Sequence, residues 1–285
     1  MEKLAASRTA LATSLIRAAH KRLDPHPLID DPWGDRLVPE SMKRAMTSPN
    51  EVLDESLRRS PSYANVIMRA RYAEDALQAA VSKGVSQYVL IGAGFDSFSL
   101  RRPAYSASLQ IFEIDFPATQ KLKVGQITAC GIALPDTVHF IAADLSQESV
   151  AAALARSPFD ARRLTFFSWL GVTMYLTREA NLATLRSIAS CTPRASEVVF
   201  TYLDERVFQA NSASFRELEQ RVAAIGEPFL SGFNPAELAG HLAACGLDLV
   251  EDLSGSEAAA RYDRDGEHRL GQSMFSHLAL ARVKG

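Results

Sequence analysis

The stretch that most constrains the fold is QYVLIGAGFDSFSL, which runs from Gln87 to Leu100. A short apolar run ends there at three small residues, Gly92, Ala93 and Gly94. This pattern is typical of a buried parallel strand that opens into a tight turn. Glycines accept positive φ and let backbone N–H groups approach a ligand closely. The stretch therefore predicts a nucleotide-cofactor loop, with these three residues binding the cofactor.

The loop departs from the dinucleotide fingerprint G-x-G-x-x-G at its third glycine. Ser97 occupies that position. The third glycine normally allows close packing of helix and strand beside the pyrophosphate. Its absence weakens the case for pyrophosphate binding. An NAD(P)-dependent oxidoreductase stays open as an alternative.

A second strand pattern, FEIDFP, places an acidic residue at its end. Asp115 lies 23 residues after Gly92. Doubly wound α/β folds place the carboxylate that binds the ribose hydroxyls of an adenosine cofactor at about this distance. A carboxylate only accepts hydrogen bonds, so it can take two O–H donors at once. We therefore predict that Asp115 binds the ribose, with a solvated acid at a strand end as the alternative.

The rest of the chain alternates strand and helix patterns after a helical beginning. Because helix-separated short strands form parallel sheets, the fold class predicted is a doubly wound, Rossmann-like α/β sheet. We expect one domain over residues 1–285. Its parts are a helical N-terminal extension (1–80), a cofactor-binding core (85–203), a helical lid insertion after the fifth strand (204–235) and a C-terminal part of the core (236–285). The predicted strands are 87–91, 110–114, 138–142, 163–168, 197–202, 247–252 and 274–282, and the predicted helices include 8–22, 51–59, 63–81, 146–155, 178–189 and 235–245.

Charge and cysteine content restrict the possible partners. The chain has a formal net charge of −2 and three cysteines among 285 residues. A near-neutral charge gives no basic surface for nucleic acid or for an anionic membrane. Three widely spaced cysteines favour reduced thiols in the cytoplasm. The six histidines show no H-x-x-x-H or H-E-x-x-H spacing, so we expect no metal site.

Several motifs together resemble the leucine carboxyl methyltransferase-like family of class I S-adenosylmethionine (SAM) methyltransferases, which includes bacterial polyketide O-methyltransferases. The resemblance covers nearly the whole chain, and its motifs are DPHPLIDDP from Asp24, GAGFDS from Gly92, FEIDFP from Phe112, GVTMYL from Gly171 and GEPF from Gly226. It implies a sheet of seven strands with the last one antiparallel. It also implies SAM as the cofactor and O-methylation of a small-molecule carboxylate or hydroxyl as the reaction.

The resemblance also implies roles for residues outside the glycine loop. Asp144 and Leu145 look like the pair that holds the adenine, although Asp144 could instead cap a helix. The family has an arginine upstream of the loop, and the planar guanidinium suits the methionine carboxylate of SAM. Arg69 is the better match, and Arg71 is the second candidate. Leu170 departs from the family, because many relatives carry a glutamate there that would contact the cofactor.

Two tyrosines are the candidates for the acceptor side. Tyr175 and Tyr202 lie at the ends of the fourth and fifth predicted strands, where they could shape the pocket or pack in the core. No base has an evident orienting partner in the sequence. We therefore expect an acceptor that is already ionised near pH 7, such as a carboxylate. A non-catalytic SAM-binding module stays open as a further alternative.

Overall fold

The computed structural model describes residues 7–45, 53–60, 62–210, 212–224, 226–268, 270 and 275–285. Seven strands are β1 Gln87–Ile91, β2 Gln110–Asp115, β3 Val138–Ala142, β4 Thr165–Trp169, β5 Glu197–Leu203, β6 Leu247–Ser254 and β7 Ser276–Val283. The α-helices are α1 Arg8–Leu23, α2 Glu40–Ala45, α3 Leu53–Arg58, α4 Tyr63–Val81, α5 Phe98–Arg101, α6 Pro117–Ala129, α7 Val150–Leu154, α8 Arg178–Ser190, α9 Arg206–Ala210, α10 Ala213–Ala224, α11 Pro235–Ala244 and α12 Gly255–Tyr262. Residues 51, 52 and 274, at the ends of two predicted elements, lie outside the described residues.

The strands form one sheet in the order β3-β2-β1-β4-β5-β7-β6. Strands β1 to β5 pair in parallel, and β7 runs antiparallel to both β5 and β6. All five residues of the central strand β1 are buried, as are those of β4 and β5. A sheet covered on both faces requires apolar residues on both, which is why the strands read as continuous apolar runs. The predicted sheet, including its antiparallel last strand, is confirmed.

Successive residues of β1 point to opposite faces of the sheet and so enter two different cores. Tyr88 and Leu90 pack in the core that contains α1 and α4. Val89 and Ile91 pack in the core that contains α7, α8 and α11. This is the two-residue period expected of a strand. The carboxyl ends of the parallel strands therefore lie between two layers of helices.

The N-terminal helices pack directly on this sheet edge. Helix α1 follows the predicted bounds within one residue, but its Arg17 does not face solvent as an arginine of an amphipathic helix usually does. Arg17 is buried, and its Nε donates to Asp31 Oδ2 at 2.9 Å. A buried ion pair reverses the orientation that hydrophobic periodicity assigns to an arginine. Arg17 Nη2 also donates to the Phe95 carbonyl oxygen at 2.6 Å, which fixes α1 against the loop that follows β1.

The insertion between β5 and α11 folds back over the segment after β4. Its last part runs alongside residues 173–176, where the Leu230 N–H donates to the Met174 carbonyl oxygen at 2.7 Å. The Ser231 hydroxyl donates to the Leu176 carbonyl oxygen at 2.7 Å. Four phenylalanines, which we call the aromatic cluster, pack this insertion together: Phe208, Phe215, Phe229 and Phe275. The insertion therefore rests on the carboxyl edge of the sheet.

Candidate functional site

The glycine loop lies where β1 and β2 end side by side. The Gly92 and Ala93 N–H groups donate to the Ile114 carbonyl oxygen at 2.9 and 3.1 Å. Gly92 and Gly94 have φ of +67° and +51°, which side chains rarely adopt. A Cβ on Gly92 would lie 2.5 Å from Cγ2 of Val172. The loop thus needs glycine both for its conformation and for the close approach of the segment after β4.

The carboxylate of Asp115 supports this loop directly. One oxygen accepts a hydrogen bond from the Gly94 N–H, and Oδ1 accepts from the Phe116 N–H at 2.6 Å. Burial raises the pKa of Asp115, while these two N–H groups oppose the rise. An ionised carboxylate has about four lone-pair positions, so each oxygen can still accept a ribose O–H. The structure brings Asp115 and the loop together as the predicted pairing requires.

Arg69 reaches the same edge from α4. Its guanidinium lies against the turn after β4, where a Cβ on Gly171 would come within 2.4 Å of Nη1. Nη1 donates to Asn65 Oδ1 at 3.1 Å. Burial lowers the pKa of Arg69 to about 10, which leaves the group protonated at neutral pH. Within the described part of the chain no carboxylate forms an ion pair with Arg69, so the site fits an anionic group from a ligand.

Arg71 lies on a different side of α4. Two helical positions correspond to a rotation of about 200°, so the two arginines cannot face the same site. Arg71 forms an ion pair with Asp75 and donates to the Leu28 carbonyl oxygen at 3.4 Å. The geometry therefore gives no support to a cofactor role for Arg71.

Asp144 and Leu145 follow β3 at the same edge. Asp144 Oδ1 accepts hydrogen bonds from the Ser146 N–H at 3.0 Å and from its hydroxyl at 2.7 Å. The prediction that a helix starts at residue 146 is wrong, because α7 begins at Val150 and is capped by Ser149. Asp144 thus stabilises a turn rather than capping that helix. Leu145 packs against the core on the α8 side, and both residues stay candidates for the adenine.

Leu170 and Gly171 form the turn after β4. Leu170 is partly buried and packs against the core on the α1 and α4 side. Its side chain has no polar group to replace the glutamate of the relatives. The Gly171 N–H donates to Thr201 Oγ1 at 2.7 Å. The turn is therefore held from β5, and Leu170 can offer a cofactor only an apolar contact.

The two candidate tyrosines have different surroundings. Tyr175 lies next to the aromatic cluster, with its ring 5.7 Å from that of Phe229. Burial raises the pKa of Tyr175, the neighbouring Thr9 side chain and Arg69 oppose the rise, and Glu227 adds to it. Tyr175 thus stands between the arginine and the insertion.

Tyr202 lies in the core on the face of the sheet that is covered by α7, α8 and α11. It is fully buried, its hydroxyl donates to Asp252 Oδ2 at 2.7 Å, and its ring stacks on His277 at 5.0 Å. Burial, followed by the bond to Asp252, raises the pKa of Tyr202 well above its usual value. The structure does not support the prediction that Tyr202 contacts the acceptor, because its phenol is already paired.

The sequence reasoning missed the contribution of α1 to the loop. The Ser14 hydroxyl and Arg17 Nη2 both donate to the Phe95 carbonyl oxygen, at 3.2 and 2.6 Å. Ala10 lies close to Gly94, since a Cβ on that glycine would be 3.0 Å from the Ala10 Cβ. The available signal was in the sequence around α1: Arg17 stands between Ile16 and Ala18, and an acid-rich segment begins at Asp24. It indicates a buried ion pair near the site.

A seven-stranded sheet with an antiparallel β7, a glycine loop, an acid at the end of β2 and an arginine that forms no ion pair within the described ranges are the features of an α/β protein that binds a nucleoside cofactor. A sequence model of the leucine carboxyl methyltransferase family matches residues 10–189. The "Putative S-adenosyl-L-methionine-dependent methyltransferase YktD" of Bacillus subtilis is 34% identical over 89% of this chain and 90% of its own length. A protein with the same description from Mycolicibacterium gilvum is 27% identical over 98% of this chain and 96% of its own. The chain belongs to the leucine carboxyl methyltransferase family, and the predicted SAM-dependent methyltransferase class is confirmed.

Solved structures support the fold. A DUF574 family protein from Streptomyces avermitilis superposes with a TM-score of 0.62 at 16% identity and covers 98% of both chains. A methyltransferase structure from Thermobifida fusca superposes with a TM-score of 0.58 at 15% identity and covers 95% of both. At these identities the likeness concerns the fold alone. Among the helices that the structure describes, none has the length and apolar character needed to cross a membrane.

Proposed function

We propose that the protein transfers the methyl group of SAM to an oxygen atom of a small-molecule carboxylate or hydroxyl compound. The observation that carries the proposal is Arg69, a partly buried cation at the cofactor edge without a carboxylate partner among the described residues. A guanidinium pairs well with a carboxylate such as that of the SAM methionine. Together with the glycine loop and Asp115, it supplies fixed contacts for the amino-acid and ribose parts of this cofactor.

Bound SAM supplies a methyl group already activated on a sulfonium, so the protein contributes mainly by alignment. Asp115 would hold the ribose hydroxyls, and Arg69 would hold the carboxylate. Ser14 and Arg17 hold the Phe95 carbonyl and so fix the loop between these two anchors. Tyr175 would border the acceptor.

The insertion favours a small acceptor. Its hydrogen bonds to the carbonyls of Met174 and Leu176 close the edge beside Tyr175. A net charge of −2 gives no electrostatic reason to expect a nucleic-acid substrate. The free cysteines Cys130, Cys191 and Cys245 agree with a reducing compartment, which supports a cytoplasmic location.

The test is a transfer assay with SAM that carries a trideuterated methyl group. The purified protein is incubated with defined mixtures of small carboxylic acids and hydroxyl compounds, and products are identified by mass spectrometry. We expect a labelled methyl ester or methyl ether from the wild type. With Asp115→Ala, product formation should fall strongly when the SAM concentration is well below the Kd of the variant for SAM. Label found only on nitrogen or sulfur of an acceptor would contradict the proposal.

A further inference from the structure

Glu227 is a carboxylate with one buried oxygen. It lies in the insertion, and its N–H donates to the Val222 carbonyl oxygen at 3.0 Å, which fixes the backbone. Its Oε2 is buried and has no hydrogen-bond partner among the residues that the structure describes. Burying an unpaired acceptor is costly, and such groups in native proteins usually serve a ligand, a water or a reaction.

The position of Glu227 points to the acceptor. The segment that follows it runs beside Tyr175, because Phe229 packs on the Tyr175 ring at 5.7 Å and the Leu230 N–H donates to the Met174 carbonyl oxygen at 2.7 Å. Glu227 raises the pKa of that phenol, and Arg69 lowers it. Yet Glu227 and Arg69 form no ion pair with each other. Neither charge is neutralised by the other, so each can still bind a ligand group. Arg69 faces the cofactor side, so Glu227 is left for the acceptor side.

The neighbouring residues leave the carboxylate free for this task. The hydroxyl of Tyr175 lies next to the side chain of Thr9, so Tyr175 already has a polar neighbour other than Glu227. Two residues beyond Glu227, Phe229 packs against both Tyr175 and Phe215. The part of the insertion that directly follows Glu227 is thus aromatic. Such a wall suits an acceptor with an apolar body and one hydrogen-bond donor.

We propose that Glu227 is the proton acceptor for a neutral hydroxyl compound, a phenol or an apolar alcohol; this inference rests on the proposed function. The acceptor O–H donates to Glu227 Oε2. As the acceptor oxygen forms its bond to the methyl carbon, the bond from that carbon to sulfur breaks and its electron pair stays on sulfur. The hydroxyl proton passes to the Glu227 carboxylate. The products are a methyl ether, neutral S-adenosylhomocysteine and a protonated Glu227, which then loses its proton to solvent.

This proposal replaces the expectation of an ionised acceptor. A carboxylate acceptor would bring a second negative charge next to the buried Oε2 of Glu227. Like charges repel there more strongly than in water. A hydroxyl compound instead supplies the donor that Oε2 lacks. The structure therefore favours the hydroxyl over the carboxylate among the two acceptors of the proposed function.

The experiment compares matched acceptors that differ in this one group. The wild-type protein and SAM are given 4-methylphenol, 3-phenylpropan-1-ol and longer homologues of each, in parallel with the corresponding carboxylates. We expect methyl ethers from hydroxyl compounds and no methyl esters. Glu227→Gln keeps the shape and removes the charge, and it should lower kcat at least about 100-fold, the usual range for loss of a general base. Its SAM affinity should stay within about twofold of wild type, and its Tm should stay equal or rise.

Glu217→Gln is the matched control, because Glu217 is an exposed residue of the same insertion that forms an ion pair with Arg221 at 2.9 Å. It should leave kcat unchanged. Methyl esters from the carboxylates, no transfer to any hydroxyl compound, or an undiminished kcat in Glu227→Gln would overturn the role of Glu227. In those cases SAM binding and ester formation would still support the proposed function. If the wild-type protein did not bind SAM, the proposed function itself would be refuted.

Discussion

The cofactor edge and the insertion differ in how their polar groups are satisfied. At the ends of β1 and β2, the Phe95 carbonyl and the Asp115 carboxylate each have two donors from the protein. In the insertion, Glu227 Oε2 has none among the described residues. A region whose polar groups are paired is set before the ligand binds. The glycine loop and Asp115 are therefore in place before SAM binds, whereas in the insertion an acceptor would supply the hydrogen-bond donor that Glu227 lacks.

The largest expected effect comes from the glycine loop. Gly92→Ala forces an alanine into positive φ and brings its Cβ to 2.5 Å from Val172. We expect the free energy of unfolding to fall by about 2–5 kcal/mol, which combines the left-handed conformation with overpacking. Urea unfolding without SAM measures this loss. Unfolding with SAM should also show that the cofactor stabilises the variant less than the wild type.

Gly125→Ala is the matched control for that experiment. Gly125 lies within α6, and a Cβ there would have nothing within 4 Å. Alanine should raise the free energy of unfolding by about 0.5–1 kcal/mol, because glycine is the poorer helix former. Equal effects of the two substitutions would mean that the loop is not a preformed site.

The two arginines of α4 give the next largest effect. Arg69→Met removes the unpaired cation, and we expect SAM affinity to fall about 10- to 100-fold, as for a lost charged hydrogen bond of about 1.5–3 kcal/mol. Arg71→Met removes only the ion pair with Asp75 at the surface. It should leave SAM affinity within about twofold. Calorimetric titration measures the affinity of both variants for SAM. A larger loss of affinity in Arg71→Met than in Arg69→Met would show that the wrong arginine has been assigned.

The smallest effect concerns Tyr202. Tyr202→Phe removes the hydrogen bond to Asp252, whose carboxylate keeps its contact with His277 at 3.1 Å. We expect a loss of about 1 kcal/mol in the free energy of unfolding and unchanged SAM affinity and kcat. Thermal unfolding and the transfer assay measure these quantities. A large fall in kcat without loss of stability would show that Tyr202 does contact the acceptor.

Local patterns predicted most of the sheet, because strands buried on both faces are continuous apolar runs between breakers. The glycine loop and Asp115 could be paired because their spacing follows from adjacent parallel strands. The burial of Arg17 could not be predicted from periodicity, because its partner, Asp31, is 14 positions away and periodicity contains no information about ion pairs. Glu227 was missed because the burial of one carboxylate oxygen depends on how the whole insertion packs. Choosing between Arg69 and Arg71 required knowing which side of α4 faces the sheet edge.

The most direct test of the cofactor site is calorimetric titration of wild type and Asp115→Ala with SAM and with NAD. We expect micromolar SAM affinity and no NAD binding for the wild type. Because Asp115 would accept from two ribose hydroxyls, Asp115→Ala should weaken SAM binding about 10- to 100-fold, which corresponds to roughly 1.5–3 kcal/mol. A variant that folds normally and still binds SAM within about twofold of wild type would contradict the assigned role of Asp115.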